Sequence, residues 1–398
     1  MGAPLFIRRD GRLRLPPDVH HLEDLLDLEP EQILDSFRRS QAADFDAVLR
    51  SVAGGALAAQ FAELRALAPS DSPLHGLQVF SADGLSGLFH DLHDHVMSHP
   101  VWRHPFFLRF FAGRFTREQL VAFALGYFNQ IKNTRQCVAL ALGRFNGLMG
   151  LPYAAASERV SELTQIALAQ LVADEYGVGA HALADYPPLD RLFQAQTHIV
   201  MYRKLFDGLG VPLAAQDVPM LPEVADNVLT QRLLAGDPVF TPLEALASVG
   251  LGMEWGVPEF FSLLLGGVIR FAEREAVPVT HDQVEVLTAH VKYDVLHAVS
   301  VMLVTALHMR EEGDLAAVKG ACNALMAARH GMMSGLYRHV FGEPCATLAD
   351  IGLEQRYWLT DRRIGEALTA ARGRVAPSTV GGGEDYRRRT ELPFLFTR

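Results

Sequence analysis

Cysteine is scarce in this chain: Cys137, Cys322 and Cys345 are the three in 398 residues. An odd, scattered set excludes a disulfide framework and a thiolate-bound metal. It fits a reducing, cytoplasmic compartment. Basic charge is also short, with 36 Lys and Arg against 46 Asp and Glu, which argues against nucleic acid or an anionic membrane as the main partner. No uninterrupted apolar run reaches the roughly 20 residues of a spanning helix, and the greasiest stretch, Phe260 to Ile269, is closed by Glu259 and Arg270. The first ten residues hold too short an apolar stretch for a signal peptide. A Gly-x-Ser-x-Gly elbow is missing, which disfavours a Ser/His/Asp hydrolase. Gly250-x-Gly252 falls within a predicted helix, not at a strand end, so it is no dinucleotide loop. The expectation is a soluble, cytoplasmic protein.

What the chain has is apolar material at helical spacing. With 49% hydrophobic and 21% charged residues, it can bury a sizeable core. Nearly every long segment repeats at the helical period, and alternating β-branched runs are few. An all-α bundle is therefore expected. Residues 1–20 read as an irregular arm ending at Pro16-Pro17. Leu25, Leu26, Ile33, Leu34, Phe37, Phe45, Val48 and Leu49 mark an N-terminal helical module, giving a first unit over 1–80. Ala68 to Pro73 reads as a linker. A main helical unit spans 81–345, and 346–398 holds one helix, from Arg362 to Arg372, and a mobile tail. Helix starts are marked by Thr116 with Gln119, by Thr241-Pro242 with Glu244, and by Thr280 with Gln283.

The strongest local signal is His290-Val291-Lys292-Tyr293-Asp294-Val295-Leu296-His297. Positions 290, 294 and 297 fall within about 60° of one another on a helix. Leu287, Val301 and Val304 continue the same seam, so two imidazoles and a carboxylate interrupt an apolar stripe. Burying them unpaired would cost several kcal/mol, and a divalent metal is the partner that suits all three. Other helices carry similar intrusions. Glu254 shares a seam with Leu243, Ala247 and Gly250, where small residues allow a neighbouring helix to come close. Glu175 follows Leu168, Leu171 and Val172. His198 begins a stripe with Met201, Tyr202, Leu205 and Leu209. Three carboxylates and three imidazoles on four helices suit two metal ions in a bundle core. Oxygen and nitrogen ligands favour iron or manganese, with zinc also compatible.

These motifs resemble the haem-oxygenase-like diiron oxidases and oxygenases. His290-x3-Asp294-x2-His297 is similar to that family's last ligand-bearing helix. His104-Pro105-Phe106-Phe107 and Gly113-Arg114-Phe115-Thr116 resemble its opening helices, Ala173-Asp174-Glu175-Tyr176-Gly177 its first ligand segment, and Met253-Glu254-Trp255 its mid-chain carboxylate. The likeness runs over roughly 85–310. It implies a haem-oxygenase-like helical bundle with an added N-terminal module, and two Fe(II) ions held by Glu175, His198, Glu254, His290, Asp294 and His297. It further implies dioxygen as cosubstrate, an external electron donor, and a small amine, amino-acid-derived or fatty-acid substrate undergoing N-oxygenation, desaturation or oxidative C–C cleavage. The interval from Glu175 to His198 is longer than in the family, as though Ala180 to Leu192 were inserted, and His181 is the rival ligand. An additional glutamate of the kind some N-oxygenating members use is not found; Gln130, Asn133 and Thr134 stand there instead.

Further expectations follow. His90, His93 and His95, with His99 and His104 after them, form a second histidine cluster; its i, i+3 and i+5 spacing spreads around a helix and reads as a solvated first helix. Arg135, Lys132 and Lys292 are candidates to hold a substrate carboxylate, against an ordinary surface role. Cys137 reads as core. The N-terminal module would pair two chains as a homodimer or cover the pocket. The competing readings are a cofactor-free or non-redox enzyme of the same superfamily, with histidines as general acids and bases, and a helical binding or scaffold protein.

Overall fold

The computed structural model describes residues 4–391 apart from 10–11, 18, 21, 30–31, 38, 40–45, 48, 51–55, 69–81, 146–154, 179–194, 311–312 and 347–360. The side chains of Lys292, Tyr293 and Asp294 also lie outside the described residues. The fold is all-α. Among the described residues its helices include α1 (Leu22–Leu25), α2 (Ala56–Leu67), α3 (Ala82–Met97), α4 (Pro105–Phe111), α5 (Arg117–Leu142), α6 (Ala155–Glu175), α7 (His198–Leu209), α8 (Pro222–Gly236), α9 (Pro242–Ala247), α10 (Val257–Arg274), α11 (Glu285–His308), α12 (Asp314–Phe341), α13 (Arg362–Arg374) and α14 (Gly383–Arg387). A π-helical turn, Ser248–Glu254, continues α9. The arm expected to be irregular instead forms an antiparallel hairpin, β1 (Ile7–Arg9) with β2 (Arg12–Arg14). Leu5 is fully buried, and its N–H donates to Val279 O at 2.9 Å.

The helix starts follow their sequence signals. Thr116 and Gln119 form a reciprocal capping box on α5, as do Thr241 and Glu244 on α9. At the third start, the Thr280 N–H donates to the Gln283 side chain, but a tight 3-10 turn intervenes, so α11 begins at Glu285. Helix α8 packs on α5 and α12, α10 on α11, and α11 on α6, α7 and the π turn. Glycine allows the π turn its close approach. A Cβ at Gly250 would stand 2.8 Å from Val301 of α11, and one at Gly252 2.4 Å from Leu325 of α12.

Leu25, Ile33, Leu34, Phe37 and Leu49 of the N-terminal segment are buried in the same contiguous hydrophobic cluster as the bundle. The boundary drawn near residue 80 therefore divides no core. Nor do the described residues after 380, which run to 391, form a free tail. Tyr386 of α14 is buried, and its hydroxyl donates to Asp226 on α8. Arg372 of α13 forms a two-pronged pair with the same carboxylate at 2.7 Å, both side chains buried. Its guanidinium also donates to the carbonyls of Arg389 and Glu391. Among the described residues, Pro242–Arg274 is long and apolar enough to cross a membrane, and 89% of its most apolar window is buried inside the fold.

Candidate metal centre

Glu175 closes α6 and His198 opens α7. Thr197 caps α7, its hydroxyl accepting from the Val200 N–H, which fixes His198 at the first helical position. Gly177 turns the chain out of α6 at φ +64°, and a Cβ there would stand 2.6 Å from Gln196 O. The backbone just after Glu175 thus lies against the backbone just before His198, however long the interval between them. That contact delivers the Glu175 Oε2 to within 2.9 Å of His198 Nδ1.

His290 completes a compact group. Its ring centroid lies 4.4 Å from that of His198, and one ligand atom from each of Glu175, His198 and His290 lies within 4.8 Å of the others. Two contacts lock the His290 ring. Its Nδ1–H donates to Val286 O one turn back at 2.6 Å, and Phe261 of α10 stacks on it at 4.1 Å and 10°. Because Nδ1 carries the proton, Nε2 keeps its lone pair. Burial, reinforced by His198, lowers His290 to about 3, so it is neutral at neutral pH, as a metal ligand must be. Burial alone would raise the Glu175 carboxyl; His198, by charge and hydrogen bond, and then His290 and His297 hold it below the usual carboxylate range.

His297, two turns further along α11, faces different partners. Its Nε2 is 3.0 Å from Asp174 Oδ2, and its Nδ1 is 3.6 Å from Glu254 Oε2. Glu254 is buried at the end of the π turn. The six expected ligands thus divide. Glu175, His198 and His290 form one cluster, and Glu254 and His297 a neighbouring pair. Asp294 lies on α11 between the two histidines, with its side chain outside the described residues. His181 lies outside the described residues as well.

Asp174 was missed as a site residue, although a signal was present. Two consecutive acids in the last turn of a helix sit at the negative end of its dipole, where carboxylates are disfavoured. They need a compensating partner, and here each has a histidine.

A cavity of about 960 Å³ opens onto this centre between α6, α7 and α11. His198, His297 and Asp174 border it, Leu163, Ile166, Leu303 and Val304 line its apolar part, and Gln60 and Phe61 of α2 close one side. The N-terminal segment therefore contributes to the pocket wall, one of the two roles foreseen for it. Of the candidate carboxylate anchors, Lys132 is paired with Asp217 at 3.0 Å, and Arg135 lies over the Tyr176 ring at 4.6 Å. Gln130 is buried in a network with Thr134, Gln231 and Asn227.

The second histidine group departs from expectation. His90 is exposed and paired with Asp46, but His93, His95, His99 and His104 are all buried. For His93 and His95 the reason is that α3 packs against both the π turn and α12, so two of its faces are covered; His99 and His104 lie beyond α3, as the caps of the 3-10 turn Pro100–Arg103 and of α4. His93 Nδ1 accepts from the Trp255 indole N–H at 3.2 Å, and His95 Nε2 meets Asn323 Oδ1 at 2.8 Å. His99 and His104 accept from the backbone N–H groups of Val101 and Phe106. His104 Nε2–H donates to Ser334 Oγ at 3.0 Å. Cys137 is core as expected, and burial pushes its thiol and that of Cys322 up to about 12.

The donor set at the first centre is oxygen and imidazole nitrogen with no thiolate, a combination that suits iron, manganese or zinc. No family model matches the chain, and no curated protein is significantly similar to it.

Proposed function

We propose that this protein is a dioxygen-activating non-haem diiron oxidase or oxygenase, with a haem-oxygenase-like arrangement of its bundle, acting on a small biosynthetic substrate. The observation that carries the reading is the Glu175, His198 and His290 cluster, with Glu254 and His297 beside it, at the border of a large cavity. Glu175, His198 and His290 would hold one ion. Glu254, His297 and Asp294 would hold the second. When bound, reduced iron supplies dioxygen activation and the oxidation of a nearby C–H or N–H bond.

The chain's own groups set the conditions for that chemistry. Glu175, Glu254 and Asp294 would offset the charge of bound metal, and His290 is held neutral with its Nε2 lone pair available. Phe261 and the surrounding core exclude water from the far side of the His290 ring. The cavity wall from Leu163 to Ile166 and from Leu303 to Leu307 favours a substrate with an apolar body. We expect an amine or amino-acid derivative carrying such a body, with an external reductant, in the cytoplasm.

The test is anaerobic iron loading followed by oxygen. Iron-loaded protein should consume dioxygen and give a transient visible absorption, and Asp294→Ala should reduce both while leaving helix content intact. Iron-loaded wild type that consumes no dioxygen contradicts the reading, and favours acid–base work by the same histidines.

A further inference from the structure

We propose that Asp174 is a positioning residue that prepares His297 to bind the second metal through Nδ1; this rests on the two-metal reading above. A carboxylate can only accept a hydrogen bond. With Asp174 Oδ2 at 3.0 Å from His297 Nε2, the proton of the neutral imidazole belongs on Nε2. The lone pair then belongs on Nδ1, the atom that faces Glu254 Oε2 at 3.6 Å.

Asp174 is itself held in place. Gln170, one turn earlier on α6, donates from its side-chain amide to Asp174 Oδ1 at 2.9 Å. The two carboxylate oxygens thus have separate tasks, one anchored to its own helix and one reaching across to α11. The arrangement runs from Gln170 through Asp174 and His297 to Glu254, and it crosses from α6 to α11 to the π turn.

The contrast with His290 gives the inference its content. His290 is oriented by a backbone carbonyl of its own helix and presents Nε2. His297 is oriented by a charged carboxylate from another helix and presents Nδ1. A carboxylate partner makes the imidazole a stronger donor than a carbonyl partner does. It also ties ligand orientation at the second position to the packing of α6 on α11. The orientation of the His290 ring does not share that dependence, so the two α11 histidines are held unequally in the chain's own structure.

Two measurements test this, one with metal and one without. With selectively ¹⁵N-labelled histidine in metal-free protein at mildly alkaline pH, and His297→Gln to assign the signal, the His297 ring should carry its proton on Nε2. Asp174→Ala should move it to a mixture of tautomers. Asp174→Asn keeps an acceptor oxygen and should preserve the wild-type tautomer. In cobalt(II) titrations, Asp174→Ala should weaken the second equivalent by about 10- to 100-fold and spare the first, with Asp174→Asn between it and wild type. An unchanged His297 tautomer in Asp174→Ala overturns the proposal, as does loss of both equivalents without a tautomer change. If wild type binds no metal while the tautomer still shifts, the two-metal reading falls and the positioning role of Asp174 stands.

Discussion

Two groups of buried or half-buried histidines lie in this bundle, and their partners set them apart. His198 and His297 are held by the carboxylates of Glu175, Asp174 and Glu254, and both border the cavity. His93, His95, His99 and His104 are held by an indole, an amide, a hydroxyl and backbone N–H groups. Carboxylates supply the negative charge that a divalent ion requires; neutral partners only satisfy a neutral ring. On the two-metal reading, histidine number is a poor guide to a metal site, and the acids beside the rings are a better one.

The comparison can be broken most sharply by exchanging outcomes between the groups. His290→Ala should remove an iron equivalent, read by anaerobic titration against a chelator, with helix content preserved. His104→Phe should leave the iron stoichiometry unchanged. Equal iron loss from both substitutions would erase the distinction.

Acid should act on the dry histidines next. Burial lowers His330, which packs edge-on against His104 at 4.7 Å, to about 4, and lowers His308 to about 4. Burial and then the neighbouring charges lower His99 and His104 as well. For each ring the folded pKa lies below the unfolded value of about 6.5, so the unfolded chain binds more protons in between. The stabilisation is complete above the unfolded pKa and is lost as pH falls toward the folded one. His330 and His308 should each cost about 2 kcal/mol between pH 7 and 5, measurable by urea unfolding of the metal-free protein. A flat stability profile over that range would show that these rings are solvated.

His104→Phe should be felt in stability instead of metal content. It leaves the Phe106 N–H and the Ser334 hydroxyl without the ring that they meet, a loss of about 1–3 kcal/mol. At the small end, Ile166 and Leu296 border the cavity and are 57% and 55% exposed. Replacing either by Ser should change stability by less than about 0.5 kcal/mol, while weakening an apolar ligand of the cavity.

Much of this was legible in the sequence because the signals were local. Thr116 with Gln119 and Thr241 with Glu244 each mark a helix start within four residues, and both boxes form. The apolar seam through His290 and His297 follows from periodicity on one helix. Gly250 on the Glu254 seam announced the close approach of Val301.

What was hidden depended on packing between distant segments. The spread of His93 and His95 around α3 reads as exposure only if one face of that helix is buried, and here the π turn and α12 cover two. The anchoring of α13 and α14 on Asp226, through Arg372 and Tyr386, pairs residues 146 and 160 positions apart, and nothing in a Gly- and Arg-rich stretch announces it. Asp174 and Glu175 are adjacent acids, indistinguishable until α7 supplies His198 to Glu175 and α11 supplies His297 to Asp174. The division of the five described candidate ligands into a trio and a pair likewise comes from the π turn, which sets where Glu254 ends up.

The most direct test of the central claim is anaerobic ferrous titration of wild-type protein, with bound iron counted per chain. Two equivalents are expected, the first lost in His290→Ala and the second weakened in Asp174→Ala. A wild-type chain that binds no iron, or one whose iron is unaffected by either substitution, would contradict the metal centre built from Glu175, His198, Glu254, His290, Asp294 and His297.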